Sequence, residues 1–230
     1  MTTFNGQEYI EEQLKSILTQ LSPTDELIIS DDGSSDETLT ILNKYQEMDE
    51  RIVLLDGPRK GVIANFEHAI ATSKGDIIFL ADQDDVWLEH KVEVITTTFN
   101  ENPNTMVVVS DLVIVDSQLS VTESSYFSFR KAKEGWVHNL IRSNYIGAGM
   151  AFRSSMKATV LPIPAKVPMH DMWIGLMAGN QVRFIYQPLT LYRRHEDNVS
   201  EIKTTTSFMQ KLSWRWQLTQ AIILRRLHLK

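Results

Sequence analysis

Residues 76–87, Asp-Ile-Ile-Phe-Leu-Ala-Asp-Gln-Asp-Asp-Val-Trp, run an apolar stretch straight into three carboxylates, Asp82, Asp84 and Asp85. Like charges this close cost free energy unless something positive sits among them. A carboxylate pair one residue apart after a strand suits a hard divalent cation, Mg2+ or Mn2+. Such ions prefer oxygen ligands and are often held by one or two carboxylates plus substrate phosphates. The cation would relieve the repulsion and neutralise charge building on a departing diphosphate. The competing reading is an acidic turn that is merely solvated, since perturbed carboxylates also occur in structural networks.

Three further stretches have side chains suited to chemistry. Asp31 and Asp32, in Asp-Asp-Gly-Ser-Ser-Asp (31–36), can accept hydrogen bonds from a nucleobase N–H or from ribose hydroxyls. Arg193, Arg194 and His195 form a basic run that could meet an anionic diphosphate. The pair His170-Asp171 opens an apolar, helix-spaced segment. There the helix dipole stabilises a carboxylate and keeps it ionised near neutral pH, ready to take a proton, with His170 placed to orient it. The alternative is that Asp171 is an N-cap and nothing more.

Apolar spacing indicates the elements that must carry these residues. Residues 1–4 read as the end of a strand, followed by an Asn-Gly turn. Ile10, Leu14, Ile17, Leu18 and Leu21 fall at helical spacing. Residues 26–30 form an apolar strand, Ser35 or Asp36 caps a helix carrying Leu39, Ile41, Leu42 and Tyr45, and residues 51–55 form a third strand. Val62, Ile63, Phe66, Ala69 and Ile70 stripe another helix before the strand at 76–81. Near-continuous apolar strands alternating with helices predict an α/β domain, doubly wound on a mostly parallel sheet with helices on both faces. Ligands bind such sheets beyond the carboxyl ends of the strands. Thr-Phe-Asn-Gly (3–6), the Asp31 turn and the Asp82 turn all fall at those ends, so they are expected to build one site. Farther on, residues 105–116 read as one or two strands, 117–135 as a loop, 170–179 as a helix, 182–195 as two short strands around Pro188, and 207–230 as a C-terminal helix.

Composition narrows the function classes. The chain has 230 residues, 43% hydrophobic and 23% charged, enough for a sizeable core. A net charge of −6 argues against general nucleic-acid binding. The absence of cysteine excludes disulfides, zinc-thiolate sites and a cysteine nucleophile. The start of the chain lacks the basic and apolar regions of a secretory signal, and no stretch approaches the roughly 20 apolar residues of a membrane span. A cytoplasmic location is the expectation.

Taken together, residues 3–18, 26–38, 61–87, 146–153, 170–175 and 192–200 resemble the family 2 glycosyltransferases of the GT-A fold, especially bacterial rhamnosyltransferase-type members. Asp-Gln-Asp-Asp-Val-Trp is more specific than a bare Asp-x-Asp. The resemblance implies that Asp31 and Asp32 lie against the base and ribose of a nucleotide-sugar. It implies that Asp82 faces the ribose and that Asp84 binds the metal with Asp85 in support. It makes Asp171 the general base of an inverting transfer, lets His195 help hold the metal or diphosphate, and sets Thr3 and Glu8 along the nucleotide. The donor it implies is a dTDP- or UDP-sugar, and the acceptor a glycan or lipid-linked polysaccharide. Trp87 and Trp173 read as core or pocket wall, while Gly147 and Gly149 are open between acceptor contact and packing. The family's first strand carries several apolar residues before Thr-Phe-Asn-Gly, so the first strand here reads as clipped.

Two other functions fit some of these residues. A haloacid-dehalogenase-type phosphatase would use Asp82 as nucleophile and Asp84 as acid, and a non-catalytic sugar-binding relative would keep the fold alone. The expected organisation is a catalytic domain over 1–206, with nucleotide-sugar (1–116) and acceptor (117–206) halves, and a basic amphipathic helix over 207–230. That helix holds Lys211, Arg215, Arg225, Arg226 and Lys230 and no acid after residue 208. Its tryptophans suit a peripheral contact with the inner face of a membrane, or packing on the domain or a second subunit.

Overall fold

A computed structural model describes residues 1–194 and 208–228. The first half alternates as the spacing requires: β1 (Thr2–Thr3), α1 (Ile10–Leu18), β2 (Leu27–Asp31), α2 (Thr38–Met48), β3 (Ile52–Asp56), α3 (Val62–Thr72) and β4 (Ile77–Phe79). The second half adds β5 (Val86–Trp87), α4 (Lys91–Glu101), β6 (Val107–Val115), β7 (Val121–Glu123), α5 (Tyr126–Arg130) and α6 (Trp136–Ile141). It closes with β8 (Met150–Arg153), α7 (Lys157–Val160), α8 (His170–Met177), β9 (Val182–Arg193) and α9 (Phe208–His228). Each early helix buries the stripe read from sequence: Ile10, Leu14 and Ile17 on α1, and Phe66, Ala69 and Ile70 on α3.

β1, β2 and β3 form a parallel sheet in that order. A second, mixed sheet runs β4-β8-β6-β9-β5, with β7 added to β6. In it β6 and β9 are parallel, while β8 and β5 pair antiparallel with their neighbours. The Thr2 amide donates to the Ala81 carbonyl at 3.3 Å, which joins β1 to the chain leaving β4. The largest apolar cluster packs α3, α8 and α9 against the second sheet around Trp173, whose indole donates to the Val160 carbonyl at 2.8 Å. Trp87 is likewise buried in core.

Two expectations about the second half need correction. Residues 117–135 are not all loop. Asp111, buried inside β6, accepts from Ser125 Oγ and from the Phe127 amide, and so anchors β7 and the start of α5 on the sheet. The run 182–193 is one strand rather than two. Pro188, which has no N–H to offer a ladder, sits at a register shift on β9 opposite Asp111. The strand passes through a bulge there without ending.

β1 is two residues long, and Met1 precedes it in the same ladder. The terminal ammonium donates to the Ile28 carbonyl at 2.7 Å, and burial pulls it down to about 5. Between β2 and β4, beside Met1, lies a cavity of about 570 Å³ lined by Leu27, Ile28, Phe66, Ile78 and Phe79 among others.

Candidate active site

The three polar turns do meet. Asn5 adopts a left-handed backbone (φ 48°), and its amide donates to Ser34 Oγ at 2.9 Å while its side chain accepts from the Ser35 amide at 2.8 Å. The Gly6 amide donates to Thr38 Oγ1, and the Gln7 amide to Asp36. On the other side Gln83 treats Phe4 as a strand neighbour. It accepts from the Phe4 amide at 2.8 Å and donates to the Phe4 carbonyl at 2.9 Å. Gln13, on α1, donates to the Asp82 carbonyl at 2.8 Å. The turn after β1 is therefore bonded to both acidic turns.

Within the second turn Asp31 is saturated. It accepts from Thr3 Oγ1 (2.7 Å), Ser34 Oγ (2.6 Å), the Ser34 amide (2.8 Å) and the Gly33 amide (3.0 Å). A carboxylate offers about four lone-pair sites, so none is left for a ligand. Asp31 and Thr3 shape the turn. Asp32 accepts only the Gly61 and Lys60 amides, one on each oxygen, and keeps acceptor capacity.

The acidic turn rests on two buried cations. Arg193 is 2% exposed and committed inward. Its Nε donates to the Asp84 carbonyl (2.8 Å), its amide to Asp85 Oδ1 (3.1 Å), its Nη1 to the Ser117 carbonyl (2.6 Å) and its Nη2 to Glu12. Its guanidinium also lies over the Tyr9 ring. Lys91, fully buried, donates to the Ala148 carbonyl and to Thr190 Oγ1, both at 2.7 Å, with its ammonium over the Trp87 ring. Burial pulls Lys91 down to about 7, against the raising charges of Asp85 and Asp82. The carboxylates feel the opposite pressure. Burial, then Asp84 and Asp171, push Asp82 up to about 7. Burial, then Asp84 and Asp82, hold Asp85 well above the usual range, and its Oδ2 is buried without a hydrogen-bond partner.

Asp171 lies near enough to this turn for its charge to raise Asp82. It lies in the first turn of α8 but is not the N-cap, a place taken by Met169. Its Oδ2 accepts from the Gly147 amide at 3.0 Å and its Oδ1 from the Met172 amide at 2.5 Å. Burial outweighs these donors and pushes it up to about 6. Gly147 thus serves Asp171. Gly149 serves packing, since a Cβ there would lie 2.4 Å from the Ser110 carbonyl oxygen. His170 does not orient Asp171 as expected: it is stacked on Phe66 with centroids 3.9 Å apart, neither ring nitrogen has a hydrogen-bond partner, and burial pulls it down to about 3.

Residues 1–158 match the family model described as glycosyl transferase family 2. The chain belongs to that family. A family 2 assignment removes the phosphatase reading of Asp82. The dTDP-rhamnosyl transferase RfbG of Shigella flexneri is 29% identical over 92% of this chain and 76% of its own length. The teichuronic acid biosynthesis glycosyltransferase TuaG of Bacillus subtilis, a putative assignment in its own name, is 36% identical over 40% of this chain and 36% of its length. Among solved structures, S. aureus TarS 1-349 in complex with UDP-GlcNAc superposes with a TM-score of 0.70 at 15% identity, covering 97% of this chain and 64% of TarS. The fold is GT-A, as the sequence resemblance implied.

In this glycosyltransferase the turns carrying Thr3, Asp31, Asp32, Asp82, Asp84 and Asp85 are hydrogen-bonded to one another, and Asp171 lies near enough for its charge to raise Asp82. Glu8 is exposed at the entrance to α1. Arg194 is half-buried, with Nη1 donating to the Tyr192 hydroxyl at 3.1 Å. His195 lies outside the described residues. Arg193, expected among the diphosphate contacts, is instead the clamp of the acidic turn. Among the described residues no three His, Cys, Asp or Glu side chains converge into a metal cage. The oxygen donors of the Asp82 turn and the orphaned Asp85 Oδ2 still fit a hard cation completed by substrate phosphates. Sequence reading missed Lys91. The signal was its place on the buried stripe of α4, four and eight residues before Ile95 and Phe99.

Removing one partner from a buried charge network leaves the other uncompensated, at a cost of about 3–5 kcal/mol. Arg193→Met is expected to lose stability on that scale in urea titration. Arg193→Lys should not restore it, because one ammonium cannot serve the several acceptors that the guanidinium fork reaches. A loss below about 1 kcal/mol, the scale of an exposed ion pair, would show that the clamp carries little weight.

Proposed function

We propose that this chain transfers a sugar from a nucleoside-diphosphate sugar to a hydroxyl of a glycan or lipid-linked acceptor, with inversion, in bacterial cell-surface polysaccharide synthesis. The observation that carries the reading is a carboxylate on a second element close to the acidic turn. Asp171, held by the Gly147 amide, lies close enough to a separate carboxylate turn for its charge to raise Asp82. In-line displacement needs this arrangement: a base on the attacking side, and charge compensation on the leaving side.

Asp84, with Asp82 and Asp85 beside it, would hold Mg2+ or Mn2+, which supplies Lewis-acid stabilisation of the leaving diphosphate. Asp32 accepts from the nucleobase, uracil or thymine, which share a hydrogen-bonding edge. Asp82 faces the ribose, Glu8 lies toward the nucleotide, and Arg194, with His195, meets the diphosphate. Asp171 takes the acceptor proton. The likeness to a dTDP-rhamnosyl transferase supports a dTDP-sugar, with rhamnose as the first sugar to test. The chain would work in the cytoplasm.

We assign the outer face of α9 to a peripheral contact, with a membrane or with a second copy. Leu218 and Ile222 are buried on the domain, and Arg215 and Arg225 donate to main-chain carbonyls of Ile141 and Leu161. Trp216, Ile223, Leu224 and Leu227 remain exposed. No helix among the described residues is long and apolar enough to cross a membrane.

Calorimetric titration with thymidine or uridine diphosphate should show an affinity gain with Mn2+ that chelator removes and Asp84→Ala abolishes. Equal affinity with and without metal would refute the metal assignment. Once a panel of dTDP- and UDP-sugars has identified the donor, turnover is read as release of nucleoside diphosphate. Asp171→Asn should fold and bind donor while turnover drops roughly 100-fold or more. A base must be unprotonated to act, so activity should hold above about pH 6 and fall below it as Asp171 takes up a proton. Near-normal turnover in Asp171→Asn, or a retained anomeric configuration, would overturn the mechanism. For α9, co-sedimentation with anionic liposomes that is lost on truncation at Thr206 supports the membrane. Concentration-dependent dimers lost on the same truncation support the second copy, and neither result refutes both.

A further inference from the structure

Lys91 combines complete burial with hydrogen bonds to neutral groups, and this needs a reason. A buried ammonium is costly, and an apolar side chain of similar volume would fill the space without that penalty. No carboxylate hydrogen-bonds it. Two of its donors go to Ala148 O and Thr190 Oγ1, and the ammonium lies 4.4 Å from the centroid of the Trp87 ring. It stands at the start of α4, the helix that follows the acidic turn, and its partners are on elements distant in sequence.

Ala148 is the centre of a single 3-10 turn, Gly147–Gly149. The Gly147 amide of that turn donates to Asp171 Oδ2. Thr190 Oγ1 also donates to the Ala148 carbonyl, at 3.1 Å. The Gly147 N–H and the Ala148 carbonyl are separated by four soft dihedrals, those of Gly147 and Ala148, and the turn's own hydrogen bond from the Gly149 amide to the Ile146 carbonyl, 3.2 Å, ties them together. One end of the turn, the Ala148 carbonyl, is thus held by the ammonium, and the other, the Gly147 N–H, is spent on Asp171.

We propose that Lys91 is a positioning residue for Asp171, acting through the Gly147–Gly149 turn and setting the base relative to the acidic turn from which α4 departs. The inference rests on Asp171 as the base, although the link from Lys91 to Gly147 can be read without it. Near-attack geometry is sensitive: displacement of a reacting group by about 1 Å can cost roughly 100-fold in rate.

The test replaces Lys91 with methionine, which keeps the bulk and removes the charge and donors. Lys91→Met should lower turnover, read as nucleoside diphosphate release, by roughly 10- to 100-fold. Nucleoside diphosphate affinity measured in chelator, and so without the cation of the acidic turn, should stay within about threefold, since the turns that would hold the nucleotide are bonded through Gln83, Ser34 and Thr38 and not through Lys91. The Gly147 amide resonance, assigned by its response to Asp171→Asn, should shift in Lys91→Met. If Lys91→Met does not fold, Thr190→Val removes the second support of the Ala148 carbonyl, and the same readouts decide. The proposal is overturned if a folded variant keeps both turnover and the Gly147 resonance, or if turnover and the nucleotide affinity measured in chelator fall together. Should Asp171→Asn remain active while the Gly147 resonance still moves in Lys91→Met, the base assignment fails and the structural link stands.

Discussion

The site depends on keeping three carboxylates on one turn against their mutual repulsion. Any cation that arrives with substrate can relieve the outer part of that repulsion, but the turn must exist beforehand. Arg193 and Lys91 provide for this from beneath. Arg193 clamps the backbone of Asp84 and the side chain of Asp85. Lys91 adds a positive charge in the same low-dielectric space, where charges act over longer distances than in water. Their division of labour follows from their shapes: a planar fork satisfies several acceptors at once, and a compact ammonium fits under a tryptophan ring.

Around this turn the other parts are arranged with little freedom. The Thr3–Gly6 turn is bonded to the Asp31 turn on one side and to Gln83 on the other. A shift in either acidic turn must move both. Asp171 belongs to a different layer, carried by α8 and the Gly147–Gly149 turn over the mixed sheet. On the proposed reading, the two sides of the reaction are built by separate elements.

Much of this was legible from sequence for local reasons. Periodicity located α1, α2 and α3, whose buried stripes repeat within a few residues. The alternation of strand and helix implied a shared sheet edge, and so the meeting of the three turns. The helix start at His170-Asp171 was equally local. What escaped depends on partners far along the chain. Asp31 looks like a ligand group until Thr3 and Ser34 are seen to fill its lone pairs. Lys91 looks like an ordinary helix lysine until Ala148 and Thr190, 57 and 99 residues away, arrive around it. Residues 117–135 have the composition of a loop, and Asp111, buried on the preceding strand, shows why part of them folds onto the sheet. His170 was expected to orient its neighbour because adjacency in sequence suggests contact, yet the first turn of a helix sends successive side chains in different directions.

Gln83 occupies the one position in the acidic turn where charge would be most easily added, and its bonds explain why an amide stands there. It offers Phe4 both an acceptor and a donor, copying with a side chain what a strand offers with its backbone. A primary amide carries an acceptor and a donor side by side, matched to the N–H and C=O of one strand residue. A glutamate of the same length would keep the acceptor, lose the donor and bring a fourth negative charge into the turn. The uncharged letter of the motif is therefore spelled by the first strand and not by the cation or the sugar. It marks the limit to how much negative charge this architecture can concentrate while still closing on itself.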